Sequence, residues 1–146
     1  MIQVALLDGR IIGYAKASWF DPAAGAPDPV ADSSAPGRIE AAAGAAAVPE
    51  RAGPDSSAPA GWYLLGVIVH PDFRRRGVGL ALTRSRLEWI AGHSDRAYYF
   101  ANVRNLVSIE MHRKLGFVER TLDVRIPGVT FTGGVGALFA LILTSP

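Results

Sequence analysis

Residues Val67–Gly79 read V-I-V-H-P-D-F-R-R-R-G-V-G, and this stretch decides the fold that the sequence predicts. An apolar run ends at His70, three arginines follow at 74–76, and a helical pattern then begins beside two glycines. A strand, a basic turn and a helix N-terminus in this order suit a bound pyrophosphate, because the first amides of a helix have no acceptor within it. Gly77 and Gly79 lack a Cβ, so an anion can approach the main chain closely.

Two other interpretations of this turn are a common nucleotide loop and an ordinary basic surface turn. The chain contains neither G-x-x-x-x-G-K-[ST] nor G-x-G-x-x-G, so a Walker-type NTPase and a Rossmann dinucleotide domain have little support. A basic surface turn ahead of a helix stays open until a second motif is considered.

The composition is that of one globular domain of 146 residues without cysteine. The absence of thiols excludes disulfides, thiolate metal sites and a cysteine nucleophile. The longest apolar stretch, Val135–Leu143, is too short to span a bilayer, and the N-terminus does not resemble a signal peptide, so we expect a cytoplasmic protein. No His, Asp or Glu cluster has metal-ligand spacing, and we expect no metal.

Positive charge is concentrated in the second part of the chain. Residues 62–146 carry eleven Lys or Arg against six Asp or Glu, a net +5, whereas the whole chain has a net charge of +2. Charge alone fits a polyanionic small ligand and a nucleic acid equally well.

Hydrophobic periodicity predicts an α/β fold with a mixed, mostly antiparallel sheet and flanking helices. The pair Asp8-Gly9 predicts a β-hairpin at the start of the chain. Strands are predicted over 62–69, 97–103, 118–126 and 135–143, and helices over 78–91 and 106–115. The predicted apolar face of the first helix consists of Val78, Ala81, Leu82, Ser85 and Trp89.

Residues 21–61 form a low-complexity insertion within a single domain that spans 1–146. The segment holds 14 Ala, 7 Pro and 5 Gly in 41 residues, contains no aromatic residue, and repeats the pentapeptide D-S-S-A-P. Such a composition cannot bury enough apolar surface to offset the entropy of ordering, so we expect disorder here.

The second predicted helix carries the second motif. Asn105, Ser108, Ile109 and His112 fall at i, i+3, i+4 and i+7, so they share one face. An amide, a hydroxyl and an imidazole on one face are either a solvated stripe or a site. Their occurrence downstream of the arginine-glycine turn favours a site.

With both motifs in place, the chain resembles the GNAT superfamily of N-acetyltransferases. R-R-R-G-V-G matches the acetyl-CoA motif [Q/R]-x-x-G-x-[G/A] at Arg74, Gly77 and Gly79, and N-L-V-S-I-E-M-H-R-K-L-G-F matches the second family signature. The resemblance covers Trp62–Phe117 well and extends more loosely to Leu143. It implies an acyl-CoA N-acyltransferase fold, acetyl-CoA as co-substrate and an amine as acceptor.

The resemblance also implies roles for individual residues. The implied cofactor-binding residues are Val67, Ile68, Val69, Arg74, Arg75, Arg76, Gly77, Val78, Gly79, Leu80, Asn105 and Ser108. His112 occupies the family position, usually Tyr, that gives a proton to the departing CoA thiolate, so it is the predicted catalytic residue. The reaction would be direct attack of a neutral amine, from a small molecule or a protein N-terminus, on the acetyl carbonyl.

The chain departs from the family pattern in two places. Phe100 stands where many protein-acetylating members carry a Glu, and together with Tyr98 and Tyr99 it suggests an aromatic acceptor channel without that general base. The N-terminal strand and first two helices of the family are not recognisable, so we expect an N-terminally incomplete fold. An apolar face left exposed in this way would favour a homodimer.

Three classes of function stay in consideration. The leading one is an acetyl-CoA-dependent N-acetyltransferase, and the second is a catalytically degenerate CoA-binding module that acts as a sensor or partner subunit. The third, a nucleic-acid-binding domain, lacks a recognition motif, so we expect neither a nucleic acid nor a membrane as partner.

Overall fold

The computed structural model describes residues 1–21, 58–126 and 128–143. Most of the predicted insertion lies outside the described residues, and its disorder stays a prediction. The elements in chain order are β1 (Ile2–Leu7), β2 (Arg10–Phe20), β3 (Gly61–Val69), a 3-10 turn (Pro71–Phe73), α1 (Val78–Ala91), β4 (Arg96–Asn102), α2 (Leu106–Lys114), β5 (Val118–Leu122) and β6 (Gly136–Ile142).

One six-stranded sheet has the strand order β1-β2-β3-β4-β6-β5. Every neighbouring pair is antiparallel except β3 and β4, which run parallel because α1 carries the chain back between them. The structure therefore confirms the predicted mixed, mostly antiparallel sheet with flanking helices.

Turn chemistry explains the ends of the strands. Asp8 and Gly9 have positive φ angles of 48° and 75°, so they close β1 and β2 into the predicted hairpin. The strand predicted over 118–126 is too long: β5 ends at Leu122 because Asp123, with a φ of 58°, is left-handed and breaks the extended backbone.

The two faces of the sheet are buried in different ways. On one, which we call the helix face, side chains of α1 and α2 join those of the strands in a core of Ala17, Leu64, Leu87, Ile90, Ala97, Tyr99, Ala101, Ile109, Phe117, Ala137 and Phe139. The other, the open face, buries Phe20, Ala58, Tyr63, Tyr98, Val124, Ile126, Phe131 and Leu138. No helix among the described residues contributes to this second cluster.

The inward face of α1 differs from the predicted one. The buried residues are Leu82, Thr83, Arg86, Leu87 and Ile90, whereas Ala81, predicted to face inward, is exposed. The prediction, which followed apolar spacing alone, is right for Leu82 and wrong for Ala81, and it missed the arginine on the core side of the helix. Arg86 can lie there because its guanidinium bonds to backbone carbonyls of the sheet.

Strands β3 and β4 separate after a short parallel pairing. Trp62, Tyr63 and Leu64 pair with Ala97, Tyr98 and Tyr99 respectively, and the described residues show no pairing of the two strands beyond this point. On its other side β3 stays paired with β2 as far as Val69. The second half of β3 therefore has one edge without a strand partner among the described residues, and we call the separation of β3 from β4 beyond this point the gap.

Candidate active site

The glycine turn before α1 presents an uncapped helix N-terminus. Gly77 is the N-cap with a φ of 81°, and no side chain accepts a hydrogen bond from the first turn. The first amides of α1, from Val78 onward, therefore have no acceptor within the helix. A Cβ built on Gly77 would meet no atom within 4 Å, so the space above the turn is open to a ligand.

Three exposed arginines surround this helix end. Arg74 Nε donates to the carbonyl of Val69 at 3.0 Å, which fixes its guanidinium against the end of β3. Arg76 lies over the ring of Phe73 at 5.6 Å. Arg75, with a φ of 61°, is left-handed and helps to form the tight turn. Positive side chains and unpaired amides converge here, so the site is suited to a phosphate or pyrophosphate.

The unpaired edge of β3 adjoins this anion site. His70 donates its N–H to Ile12 of β2 at 2.8 Å, and alternate residues of a strand direct their backbone groups to the same edge. Val67 and Val69 therefore direct theirs into the gap, whereas Ile68 faces β2. A Cβ built on Gly79 would lie 3.7 Å from Val67 and 3.8 Å from Val69, so the helix start lies against the strand end.

Helix α2 follows β4, the strand on the other side of the gap. Asn105 is its N-cap, and its Oδ1 accepts a hydrogen bond from the Ser108 amide at 3.3 Å. Gly116, with a φ of 95°, follows the last turn in the left-handed conformation that commonly ends a helix. The oxygen of Asn105 is thus used in the cap, while its Nδ2 has no partner among the described residues and can donate to a ligand.

His112 lies beneath the surface in a compact polar cluster. Its ring is 2% exposed and stacks on Tyr99 with a centroid separation of 3.6 Å and an interplanar angle of 6°. Its Nδ1 lies 2.8 Å from the Ser108 carbonyl, and Tyr99 donates its hydroxyl hydrogen to Ser108 Oγ at 2.6 Å. The polar stripe of the sequence is therefore partly turned inward.

Burial sets the protonation of this cluster. It lowers the pKa of His112 to about 4; the bond to Ser108 opposes the change, and the charge of Arg86 adds to it. Burial also raises the pKa of Tyr99 to about 12. A carbonyl can only accept, so the neutral His112 carries its hydrogen on Nδ1, and Nε2, which has no partner among the described residues, keeps a lone pair.

Arg86 is a component of this region that sequence reasoning missed. It is fully buried, and its Nη1 donates to the carbonyls of Lys16 at 2.8 Å and Leu65 at 2.6 Å. The signal lay in its spacing: Arg86 follows Leu82 by four residues and precedes Ile90 by four, so the three share one helix face. A charged residue on such a face is usually assigned to solvent.

The open face beside β4 is aromatic. Phe100 contacts Phe131 edge-to-face at 6.0 Å and lies 6.2 Å from Tyr63, and Tyr98 stacks on Tyr63 at 5.1 Å. Tyr99 instead lies on the helix face. None of the carboxylates that the structure describes is buried here, and no three His, Asp or Glu side chains of the described ranges could hold a metal ion.

Comparison with known proteins identifies the class that this site defines. The model of the acetyltransferase (GNAT) family matches residues 1–117. No curated protein matches the chain. Because the family model covers most of the chain, the protein belongs to the GNAT acetyltransferase family. Acetyl transfer is its general activity, and acetyl-CoA is the co-substrate that the family uses.

Similar solved structures support the fold. The ribosomal-protein-S18-alanine N-acetyltransferase of Escherichia coli has a TM-score of 0.60 at 16% identity, and the alignment covers 100% of this chain and 70% of that one. The ribosomal-protein-alanine N-acetyltransferase of Brucella melitensis has a TM-score of 0.59 at 20% identity, and the alignment covers 97% of this chain and 68% of that one. The IAA acetyltransferase of Bacillus cereus has a TM-score of 0.57 at 12% identity, and the alignment covers 97% of this chain and 77% of that one. No helix of the described ranges is long and apolar enough to cross a membrane.

Proposed function

We propose that this protein is an N-acetyltransferase that moves the acetyl group of acetyl-CoA to a primary amine of a small molecule or a protein N-terminus. One observation carries the proposal: the unpaired edge of β3 leads, through a single 3-10 turn, into the uncapped N-terminus of α1. A ligand with amides along a thin arm and a pyrophosphate at its far end would contact both, and acetyl-CoA has this form.

The cofactor would be held mainly by the backbone. Val67 and Val69 would pair with the amides of the arm as a neighbouring strand does, while Ile68 keeps β3 attached to β2. The N–H groups of Arg75–Leu80 would hold the pyrophosphate, with the three arginine side chains adding charge. Asn105 Nδ2 and the Ser108 hydroxyl would contact the end of the arm near the thioester.

The reaction requires three events at the thioester. A neutral amine attacks the acetyl carbonyl, the new C–N bond forms, and the C–S bond breaks as CoA leaves as a thiolate. The nitrogen loses one proton and the sulfur gains one. The groups that can serve this proton transfer lie around Ser108.

His112 as the direct proton donor stays a prediction. That role needs a hydrogen on Nε2, and burial opposes it at neutral pH because the pKa of His112 is lowered to about 4. The neighbouring hydroxyls supply another route. Ser108 Oγ accepts from Tyr99, so its own hydrogen is available to the thiolate, and half-buried Ser108 is closer to solvent than either ring. In this route Ser108 would give its proton to the thiolate and take one from Tyr99, and water that reaches Ser108 would return a proton to Tyr99 before the next turnover. His112 would position both hydroxyls.

The aromatic open face favours an amine that arrives uncharged. A Phe100–Phe131 wall without a buried carboxylate offers apolar contact and no strong base, so water would accept the amine's proton. This chemistry suits a small amine with an apolar or aromatic body somewhat better than a peptide. The Escherichia coli and Brucella melitensis structures are named for ribosomal protein alanine, which keeps a protein N-terminus as the other acceptor class.

The degenerate CoA-binding module is the second candidate. It is favoured by Phe100, which stands in place of an acid, and by His112, which is neutral and stands in place of a phenol.

A homodimer also stays a prediction. The surface to examine would be edge strand β1, where the side chains of Ile2, Val4 and Leu6 are exposed.

Free-thiol release from acetyl-CoA tests the proposed activity. We expect thiol release with an arylalkylamine or an alanine-terminated peptide. Ser108→Ala should lower kcat about 10²-fold, since it removes the proposed acid, while KM for acetyl-CoA stays within about threefold. Unchanged turnover in His112→Phe would exclude a catalytic His112. Acetyl-CoA binding without thiol release on any amine would support the degenerate module instead.

A further inference from the structure

Arg86 is a buried cation with no carboxylate partner among the described residues. It is fully buried, and every hydrogen bond it makes goes to a neutral oxygen. Those oxygens are the carbonyls of Lys16 (2.8 Å), Leu65 (2.6 Å) and Leu82 (3.4 Å) and the hydroxyl of Thr83 (3.0 Å). Burial lowers the pKa of Arg86 to about 10, so the charge persists at neutral pH. A charge kept without a counter-ion indicates a requirement beyond filling space, because an apolar side chain would fill the same volume without the desolvation cost.

The two shortest of these bonds meet at an irregularity in the sheet. Ala15 pairs with Val67 but the next residue, Lys16, pairs with Leu65, so Gly66 is an extra residue in β3. Such a β-bulge interrupts the ladder and turns the strand. Lys16 and Leu65 flank the interruption from opposite strands, and the Arg86 guanidinium bonds to the carbonyls of both.

The bulge coincides with the place where the gap begins. Leu64 is the last residue of β3 that pairs with β4, and Leu65 follows it directly. The residues beyond, Val67 and Val69, are those whose backbone groups face the gap. The direction of β3 past the bulge therefore decides whether this edge is available to a ligand or closes against β4.

We propose that Arg86 is a positioning residue that holds the bulge at Gly66 and thereby keeps the β3–β4 gap open for the arm of acetyl-CoA. This inference rests on the proposed function. Without the guanidinium, two carbonyls would lose their donors. A register change that removes the bulge would move every later side chain of β3 to the other face. The planar fork of arginine suits two carbonyls on neighbouring strands.

Matched substitutions separate positioning from general stability. Arg86→Leu removes the donors at similar volume, and Ile90→Ala, one turn further on the same buried face, loosens the core without touching the bulge. We expect Arg86→Leu to raise amide hydrogen exchange over residues 65–69 at least tenfold and to weaken acetyl-CoA binding at least tenfold. Ile90→Ala should lower the melting temperature as much as Arg86→Leu does. It should leave hydrogen exchange over residues 65–69 and the affinity for acetyl-CoA within threefold of the parent values. Arg86→Lys, which keeps a cation, should recover part of the loss.

Each result decides the inference. Unchanged exchange over residues 65–69 in Arg86→Leu would overturn it, and so would an equal increase in Ile90→Ala. If Arg86→Leu does not fold, Thr83→Val replaces it as the test variant, because this change removes one bond that orients the guanidinium. Ile90→Val is then the control. In that case a roughly threefold increase in amide hydrogen exchange confined to residues 65–69 supports the inference. The absence of such an increase overturns it. If the parent chain binds no acetyl-CoA, the proposed function fails, while the exchange data still decide whether Arg86 holds the bulge.

Discussion

The helix face and the open face of the sheet use different parts of the chain. On the helix face the proposed cofactor site is built largely from main-chain groups, the edge of β3 and the first amides of α1, and the arginines of the turn and the side chain of Asn105 add to them. On the open face the proposed acceptor site is built from side chains, with Phe100 in contact with both Phe131 and Tyr63. A backbone site tolerates changes of side chain, whereas a side-chain site is particular to one sequence.

The two faces also treat polar groups differently. The helix face buries His112, Tyr99 and Arg86, and most of their polar atoms are hydrogen-bonded. The open face buries mostly apolar and aromatic groups. The Tyr63 hydroxyl donates a hydrogen bond to the carbonyl of Pro59 at 2.7 Å. In the proposed function, proton transfer would therefore take place on the helix face, and selection of the acceptor would depend on shape and apolar contact.

The largest contrast should come from charge. Replacing Arg74, Arg75 and Arg76 together by Gln should weaken acetyl-CoA binding about 100-fold, at roughly fivefold for each exposed charge-assisted contact. The matched control replaces three exposed arginines elsewhere, Arg96, Arg120 and Arg125, and should leave affinity within threefold. Titration calorimetry at one salt concentration measures both. Equal losses in the two triple variants would mean that overall charge, and not this helix end, attracts the ligand.

Acid should destabilise the helix face through His112. The pKa of this ring is about 4 in the folded protein and 6.5 in the unfolded chain, so between these values only the unfolded chain binds a proton. The free energy of unfolding should therefore fall as pH is lowered from 6.5 to 4, by about 3 kcal/mol from this group. Urea unfolding of the parent and His112→Phe at several pH values isolates the contribution. Parallel curves for the two proteins would contradict the burial of a neutral imidazole.

The open face should be sensitive to volume at Gly136. A Cβ there would overlap the ring of Phe131, so Gly136→Ala should cost about 2 kcal/mol through overpacking. Phe131→Leu in the same chain should recover part of this loss by making room. Thermal unfolding of the single and double variants measures the coupling, and strict additivity of the two changes would show that the ring does not occupy this place.

Asn105 should show the smallest effect and separates capping from cofactor contact. Asn105→Ala should cost about 1 kcal/mol, because the Ser108 amide loses its acceptor. Asn105→Asp keeps the acceptor and loses Nδ2, so it should preserve stability while raising KM for acetyl-CoA a few-fold. An Asp variant with unchanged KM would leave Asn105 only a capping role.

The features predicted from the sequence are those that backbone chemistry determines. The glycine turn and the Asp8-Gly9 hairpin rest on residues whose conformational preferences are local, and the structure has them where the sequence predicts them. Arg86 escaped prediction because its partners are carbonyls of Lys16 and Leu65, 70 and 21 residues away. The early end of β5 escaped because Asp123 adopts a left-handed conformation that few residues favour. The burial of His112 depends on its stack against Tyr99, which is a tertiary contact.

Acetyl-CoA binding is the most direct test of the claim that β3 and the start of α1 form one cofactor site. Titration calorimetry would compare the parent chain with Gly79→Glu and Gly79→Ala. Because a Cβ at Gly79 makes only ordinary contacts with Val67 and Val69, the Ala variant should bind almost normally, while the carboxylate of the Glu variant should repel the pyrophosphate. A cofactor site at this place requires micromolar binding by the parent chain, retained in Gly79→Ala and lost in Gly79→Glu. A folded parent chain that binds no acetyl-CoA, or a Glu variant that binds as tightly as the parent, would contradict it.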